Sequence, residues 1–212
     1  MAYDLEEQES LEELKAWWGK WGTPIMAAVT VVCLGFAGLN GYRWYEAREA
    51  QNASVAYQSL QNALGTGAPA EQVGQIANQL RKDYASTVFA SLAALRMAKF
   101  HAETGAIDDA IADLNWVIES GKRTEFENLA RLRLAGLYLD KKEASKAKAV
   151  LTAGKPTSAD VPLFEDKLGD AEYALGNASE AKTHWEKARK EGNESGIRAY
   201  VELKLQALAD KQ

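Results

Sequence analysis

The sequence predicts an all-α protein: one N-terminal transmembrane helix, then a solenoid of helical hairpins closed by a C-terminal capping helix. Three observations carry this. Ala, Leu, Glu and Lys dominate the 212 residues while proline occurs four times, and those side chains lose little freedom on entering a helix. The run from Trp21 to Tyr42 contains no charge. Three segments further on repeat the same residue pattern, in register and without gaps.

A tail comes first, over residues 1–20. Leu11, Leu14, Trp18 and Trp21 recur at helical spacing, which predicts a short amphipathic helix over 5–20 running into the apolar segment. The span follows, over 21–42. At about 1.5 Å per residue it covers about 33 Å, against a hydrocarbon core of about 30 Å. Trp17, Trp18 and Trp21 stand at one end, and Tyr42, Trp44 and Tyr45 at the other; aromatic belts anchor a helix at both interfaces. A cleaved signal peptide fits poorly. The leader is acidic (Glu6, Glu7, Glu9, Glu12, Glu13), and the apolar run gives way to Tyr42-Arg43-Trp44-Tyr45 rather than to small residues. Lys15 and Lys20 on one side balance Arg43 and Arg48 on the other, so charge leaves the orientation open.

The remainder, 43–212, must live in water, since the mean hydropathy of the chain is negative. Its repeats align Met97-Ala98, Gly105, Ala110 and Leu114 with Leu134-Ala135, Lys142, Ala147 and Leu151, and with Leu168-Gly169, Gly176, Ala181 and Trp185. Each is read as helix, tight turn, helix. Small residues at 98, 135 and 169 let the two helices close. Glycine at 105 and 176 suits a left-handed turn. Alanine at 110, 147 and 181 admits the second helix, and the large residue four positions on fills the space behind it. A more degenerate pair is expected ahead of these, from about Tyr42 to Leu64 and from Pro69 to Lys82. Gly154 to Pro162 is the longest irregular connection. The last helix, Ser195 to Ala209, is expected to bury Ile197, Tyr200, Val201, Leu205 and Leu208 while Arg198, Glu202 and Lys204 stay wet, closing the solenoid.

Composition and motifs argue against several function classes. A net charge of −5 does not suit a nucleic-acid binder, which needs a basic face. Cys33 is the single cysteine, so no disulfide forms within the chain. The sequence carries no nucleophile elbow, phosphate loop, dinucleotide glycine pattern or Cys/His zinc cluster. His101 and His184 fall in different repeats and read as structural or exposed. Asp108, Asp109 and Asp113 read as a helix N-terminus with a solvated face rather than a metal site. The expectation is a non-enzymatic chain with no catalytic, cofactor or metal residues.

The repeat pattern resembles the tetratricopeptide repeat, whose signature is L-G-x2-Y followed by A-x3-F within a unit of about 34 residues. The third unit matches best; Glu172 stands where the family prefers Tyr, and His101 takes that place in the first unit. Such repeats line a concave groove with their first helices. The resemblance implies that Leu92, Leu95, Lys99, Leu129, Leu132, Leu139, Asp166, Asp170 and Tyr173 face this groove, offering an apolar floor to a helix or an extended segment.

Over its whole length the chain also resembles the YfgM-type family, the ancillary subunit of the bacterial Sec translocon. Glu12-Glu13-Leu14-Lys15-Ala16-Trp17-Trp18 before the span, Gly41-Tyr42-Arg43-Trp44-Tyr45 after it and Ala53-Ser54-Val55-Ala56-Tyr57 beyond carry the likeness by their order and spacing. The resemblance implies an inner-membrane protein with a cytoplasmic tail and a periplasmic repeat domain. It implies association with Sec translocon subunits and with a membrane-anchored periplasmic chaperone of the prolyl-isomerase type, in aid of newly exported proteins, with no catalytic residue and no small-molecule substrate. The alternatives are a negative regulator of an envelope stress response and a scaffold of another envelope complex.

Overall fold

The computed structural model describes residues 5–120, 124–192 and 195–210, so the first four residues of the expected tail lie outside the description. The described residues form nine helices and no strand: α1 (Leu5–Gly65), α2 (Ala70–Asp83), α3 (Val88–Glu103), α4 (Ile107–Glu119), α5 (Thr124–Asp140), α6 (Ala144–Thr152), α7 (Val161–Ala174), α8 (Ala178–Glu191) and α9 (Ser195–Ala209). The expected tail helix, span and first repeat helix are successive turns of α1. Contacts divide the chain into two compact units, one up to Glu49 and one from Ala50 on.

In the first unit α1 is long and apolar enough to cross a membrane. Its large apolar side chains, among them Met26, Val31, Val32, Leu34, Phe36 and Leu39, are exposed. Covering one such side chain is worth about 1.5–3 kcal/mol, and a lipid phase would cover them all. Pro24 lies inside the helix, where it removes one backbone donor. Just beyond the span the Arg48 guanidinium stacks over the Trp44 ring at 5.3 Å.

In the second unit helices pair into hairpins, and each core is shared with the next hairpin. Ala53 and Leu60 of α1 pack with Val73, Ala77 and Leu80 of α2 and with Ala93 and Met97 of α3. Ala98 of α3 and Leu114 and Val117 of α4 pack with Ala130 and Leu134 of α5. Ala135, Ala147 and Leu151 pack with Phe164 and Ala171 of α7. Trp185 and Ala188 of α8 pack with Val201 and Leu208 of α9. Each hairpin therefore leaves an apolar face that its neighbour covers, the defining property of a solenoid.

One turn is used four times. The amides of Ala106, Glu143 and Asn177 donate to the carbonyls of His101, Tyr138 and Glu172 at 2.8, 2.8 and 2.9 Å, and Gly105, Lys142 and Gly176 between them have φ of 82°, 61° and 86°. This is the αL-capped Schellman motif. Gly67, at φ 69°, closes the degenerate first pair the same way, with Ala68 donating to Ala63. Lys142 thus holds the left-handed position without being glycine.

The position where the repeat family prefers Tyr is filled three ways. Tyr138 packs into two cores and lies under Lys146 at 5.5 Å. His101 bonds through Nδ1 to Asp113 at 2.8 Å. Glu172, 3% exposed, accepts from Lys148 at 2.7 Å and Asn177 at 2.8 Å.

Two expectations are corrected. Asp113 is not on a solvated face: it is 3% exposed and held between His101 and the Arg81 guanidinium of α2. On α9 two residues are exchanged. Tyr200 is 53% exposed, while the Lys204 side chain turns inward to carboxylates of α7. A helix packed on α7 and α8 meets Asp166 and Asp170 there, and a buried carboxylate requires a partner.

Candidate partner-binding groove

The first helices of successive hairpins, α3, α5 and α7, carry hollows on their inner faces. One, of about 330 Å³, lies between α3 and α5 and is lined by Ala98, Lys99, Ala102, Arg133, Gly136 and Leu137 among others, with Leu114 of α4 at its floor. It is open because small side chains stand at 98, 102 and 136. A second hollow of about 210 Å³ joins Leu64 and Gly65 to Arg96, Lys99, Phe100 and Glu103. A third, about 260 Å³, is bounded by Asp170, Tyr173, Lys204 and Ala207, with Trp185 of α8 at its floor. Leu114 and Trp185 occupy the same repeat position, so the first and third hollows are versions of one seam between repeats.

The nine residues expected to face a groove fall into several places. Lys99 lines the first two hollows, and Asp170 and Tyr173 the third. Leu95 is 5% exposed in the core between α3 and α5. Leu132 and Leu139 pack against the core shared by α5 and α7. Leu92 is half-buried and Leu129 is exposed. Asp166 is buried, accepting from Lys204 at 2.7 Å. The structure brings Asp166, Asp170 and Tyr173 to one end, and sets Lys99 beside residues the sequence reading did not choose: Ala98, Ala102, Arg133, Gly136 and Leu137. Only Arg133 among them had a signal in the sequence, since Arg96, Arg133 and Lys167 share one repeat register.

Electrostatics set the character of each end. Near α3 and α5 the cations of Arg96 and Arg133 are exposed, and Lys99 pairs with Glu103 at 3.5 Å. At α7, burial pushes the Asp166 carboxyl up, and this outweighs the hydrogen bond from Lys204 that pulls it down. Burial pulls the Lys204 ammonium down, but bonds to Asp166 and Asp170 outweigh it and hold it above the ordinary lysine value. On the α8 side, burial pushes Glu165 up, while bonds from His184 at 2.6 Å and Lys187 at 2.6 Å bring it below the usual range. Apolar floors rimmed by charge suit recognition of a partner's side chains without covalent chemistry.

A model of the tetratricopeptide repeat-like domain matches residues 15–210. The chain belongs to the tetratricopeptide repeat-like domain family. Within that family's range of sequences it is similar to proteins named ancillary SecYEG translocon subunit. The Neisseria gonorrhoeae protein is 28% identical over 210 residues, covering 98% of this chain and 100% of its own. The Haemophilus influenzae protein is 26% identical, over 92% and 94% of the two chains. The Escherichia coli protein is 24% identical, over 96% and 97%. No solved structure matches this tetratricopeptide repeat-like chain at the same stringency.

Proposed function

We propose that this chain is a membrane-anchored scaffold that associates with the Sec translocon and with a membrane-anchored periplasmic chaperone of the prolyl-isomerase type, to assist exported proteins. The observation that carries the reading is the near-full-length likeness to proteins named ancillary SecYEG translocon subunit, which runs through the apolar segment as well as the repeats. The orientation in this reading is cytoplasmic for the tail over 1–20 and periplasmic for 43–212, with the bacterial inner membrane crossed at 21–42.

The mechanism is confinement. An anchor that keeps the repeat unit at the membrane raises its effective concentration for membrane-bound partners into the mM range, so shallow hollows of modest affinity suffice. The test replaces residues 1–45 with a cleavable export signal and asks what co-purifies in mild detergent. The expected result is a folded repeat unit that no longer brings channel subunits with it. Full co-purification of the channel by the anchorless chain would sink the tethering role. Recovery of a cytoplasmic regulator or another envelope complex by the intact chain, in place of the channel, would sink the translocon reading.

A further inference from the structure

The repeat offset sets side chains of α3, α5 and α7 in rows that cross successive first helices. Leu92, Leu129 and Leu163 form one row, and Arg96, Arg133 and Lys167 form the next, one turn on. Arg96 and Arg133 contrast with Arg81 and Arg131, which bond to Asp113 and Glu127. Both are exposed, and neither has an ion-pair partner among the described residues. Each stands at the seam with the hairpin before it. Arg96 lines the hollow against Leu64 and Gly65, and Arg133 the hollow of about 330 Å³ against Ala98 and Ala102. In a chain of net charge −5, two unpaired guanidiniums one repeat apart give this face a local sign opposite to that of the whole.

We propose that the arginine row and the hollow between α3 and α5 take an extended segment of a partner protein in which acidic and aliphatic residues alternate. This rests on the reading of the face as a partner groove and names what the groove selects. Successive side chains of an extended segment point to opposite sides. Laid across α3 and α5, between the arginine row and the hollow, such a segment sends its carboxylates toward Arg96 and Arg133. Its aliphatic side chains then enter the hollow between Ala102 and Gly136, over Leu114. A guanidinium meets a carboxylate through two parallel hydrogen bonds, which fixes the register of the segment as well as binding it.

The carboxylates on the same face do not cancel the row. Glu103 and Asp140 follow Arg96 and Arg133 by two turns, about 10 Å along the helix axis. That exceeds the Debye length of about 8 Å at physiological salt. Glu103 is also paired with Lys99 at 3.5 Å, and Asp170 with Lys167 and Lys204. The acidic edge of a bound segment therefore belongs on the arginine side of the hollow.

The experiment uses the full chain in detergent and two fluorescent ten-residue peptides, one alternating Asp with Leu and the other Lys with Leu. Both ends of each peptide are blocked, so that only side chains can be read. The acidic peptide is expected to bind with a Kd below about 1 mM, the concentration that confinement at one membrane supplies. The basic peptide should bind at least about tenfold more weakly, or ~1.4 kcal/mol. Arg96→Gln with Arg133→Gln should weaken the acidic peptide by about the same factor. Gly136→Leu tests the hollow without touching charge. A Cβ at Gly136 meets nothing within 4 Å and leucine is the better helix former, so this variant should keep its fold, read as an unchanged or raised Tm, and still bind about tenfold more weakly. Equal binding of the two peptides, binding of the acidic one that is indifferent to the arginine pair or to Gly136→Leu, or no binding of it at about 1 mM would each overturn the proposal. Co-purification of channel subunits is a separate readout, so failure of the peptide test is distinguishable from failure of the scaffold reading.

Discussion

Lys142 sits at φ 61° in a turn whose counterparts are Gly67, Gly105 and Gly176. A residue with a Cβ loses about 1–2 kcal/mol in the left-handed region, and glycine gives back part of that gain through the freedom it loses on folding, about 0.5–1 kcal/mol. Lys142→Gly should therefore stabilise the chain by about 0.5–1 kcal/mol, read as a raised Tm in detergent; a lowered Tm would mean that the lysine side chain does more than tolerate the turn. The opposite lesson comes from Gly169. A Cβ there would collide with the Trp185 ring, whereas the equivalent alanines, Ala98 and Ala135, share their cores with leucines. Gly169→Ala should destabilise by about 1–3 kcal/mol, the usual cost of overpacking. Trp185→Leu in the same chain should recover part of it, so that the two changes together cost less than their sum by about 1 kcal/mol. Additive effects in the double variant would show that the glycine and the tryptophan are not matched in size.

At the level of elements, α9 is held to α7 by a charged bridge as well as by its apolar face. Lys204 donates to Asp166 at 2.7 Å and to Asp170, its side chain 16% exposed and that of Asp166 7%. Removing one member of a buried pair strands the others, which costs more than the pair contributes. Lys204→Met should destabilise by about 3 kcal/mol, the low end for stranding a buried partner, and speed amide exchange in α9 before it does so in α3 or α4. Asp166→Asn with Asp170→Asn added should restore slow exchange; if it does not, the bridge is not what docks the helix. This bridge also marks where the sequence stopped being legible. The hairpins, their turns and their small-residue contacts could be read because they recur at a near-constant interval. The span could be read because a long uncharged run between two sets of aromatics has few other uses. Periodicity on α9 located a helix but not which of Tyr200 and Lys204 turns inward, since that choice was made by carboxylates on α7. Asp113 was misplaced for the same reason: its partners, Arg81 and His101, come from other helices. The hollows were missed because a groove is made by what is small: Ala98 was read only as a packing contact, and Ala102 and Gly136 carry no chemistry to draw attention.

Across the whole repeat unit, successive hairpins and the final helix are fastened to one another by ion pairs: Arg81 to Asp113 from α2 to α4, Asp108 of α4 to Lys141 at 2.6 Å in the turn after α5, Lys148 to Glu172 at 2.7 Å from α6 to α7, and Lys204 to Asp166 and Asp170 from α9 to α7. In a solenoid the interfaces between neighbours set the cooperativity of the array, so acid should act at these fasteners. The sign follows from the groups at α7. Hydrogen bonds from Asn177 and Lys148 hold Glu172 below the usual glutamate range, and burial opposes them only in part. Glu165 is also lowered, against its burial, by His184 and Lys187. A carboxyl whose folded pKa is depressed contributes stability above its unfolded value, about 4.3 for glutamate, and that contribution is lost as the pH falls through the folded value. Asp166 runs the other way, because burial raises it, and its protonation offsets part of the loss. Glu165→Gln with Glu172→Gln leaves Asp166 in place and removes only the depressed pair. At pH 7 this variant should melt below the parent chain, by about 2–4 °C for each kcal/mol in a chain of this size. The two melting curves should converge as the pH falls through the folded values of this pair, since the parent then loses the same charges. A gap in Tm that stays constant through the whole acid transition of the parent would mean that these carboxylates act by shape alone. A gap that closes would place the acid-sensitive step at α7, the helix that joins the middle repeat to the last hairpin and to α9.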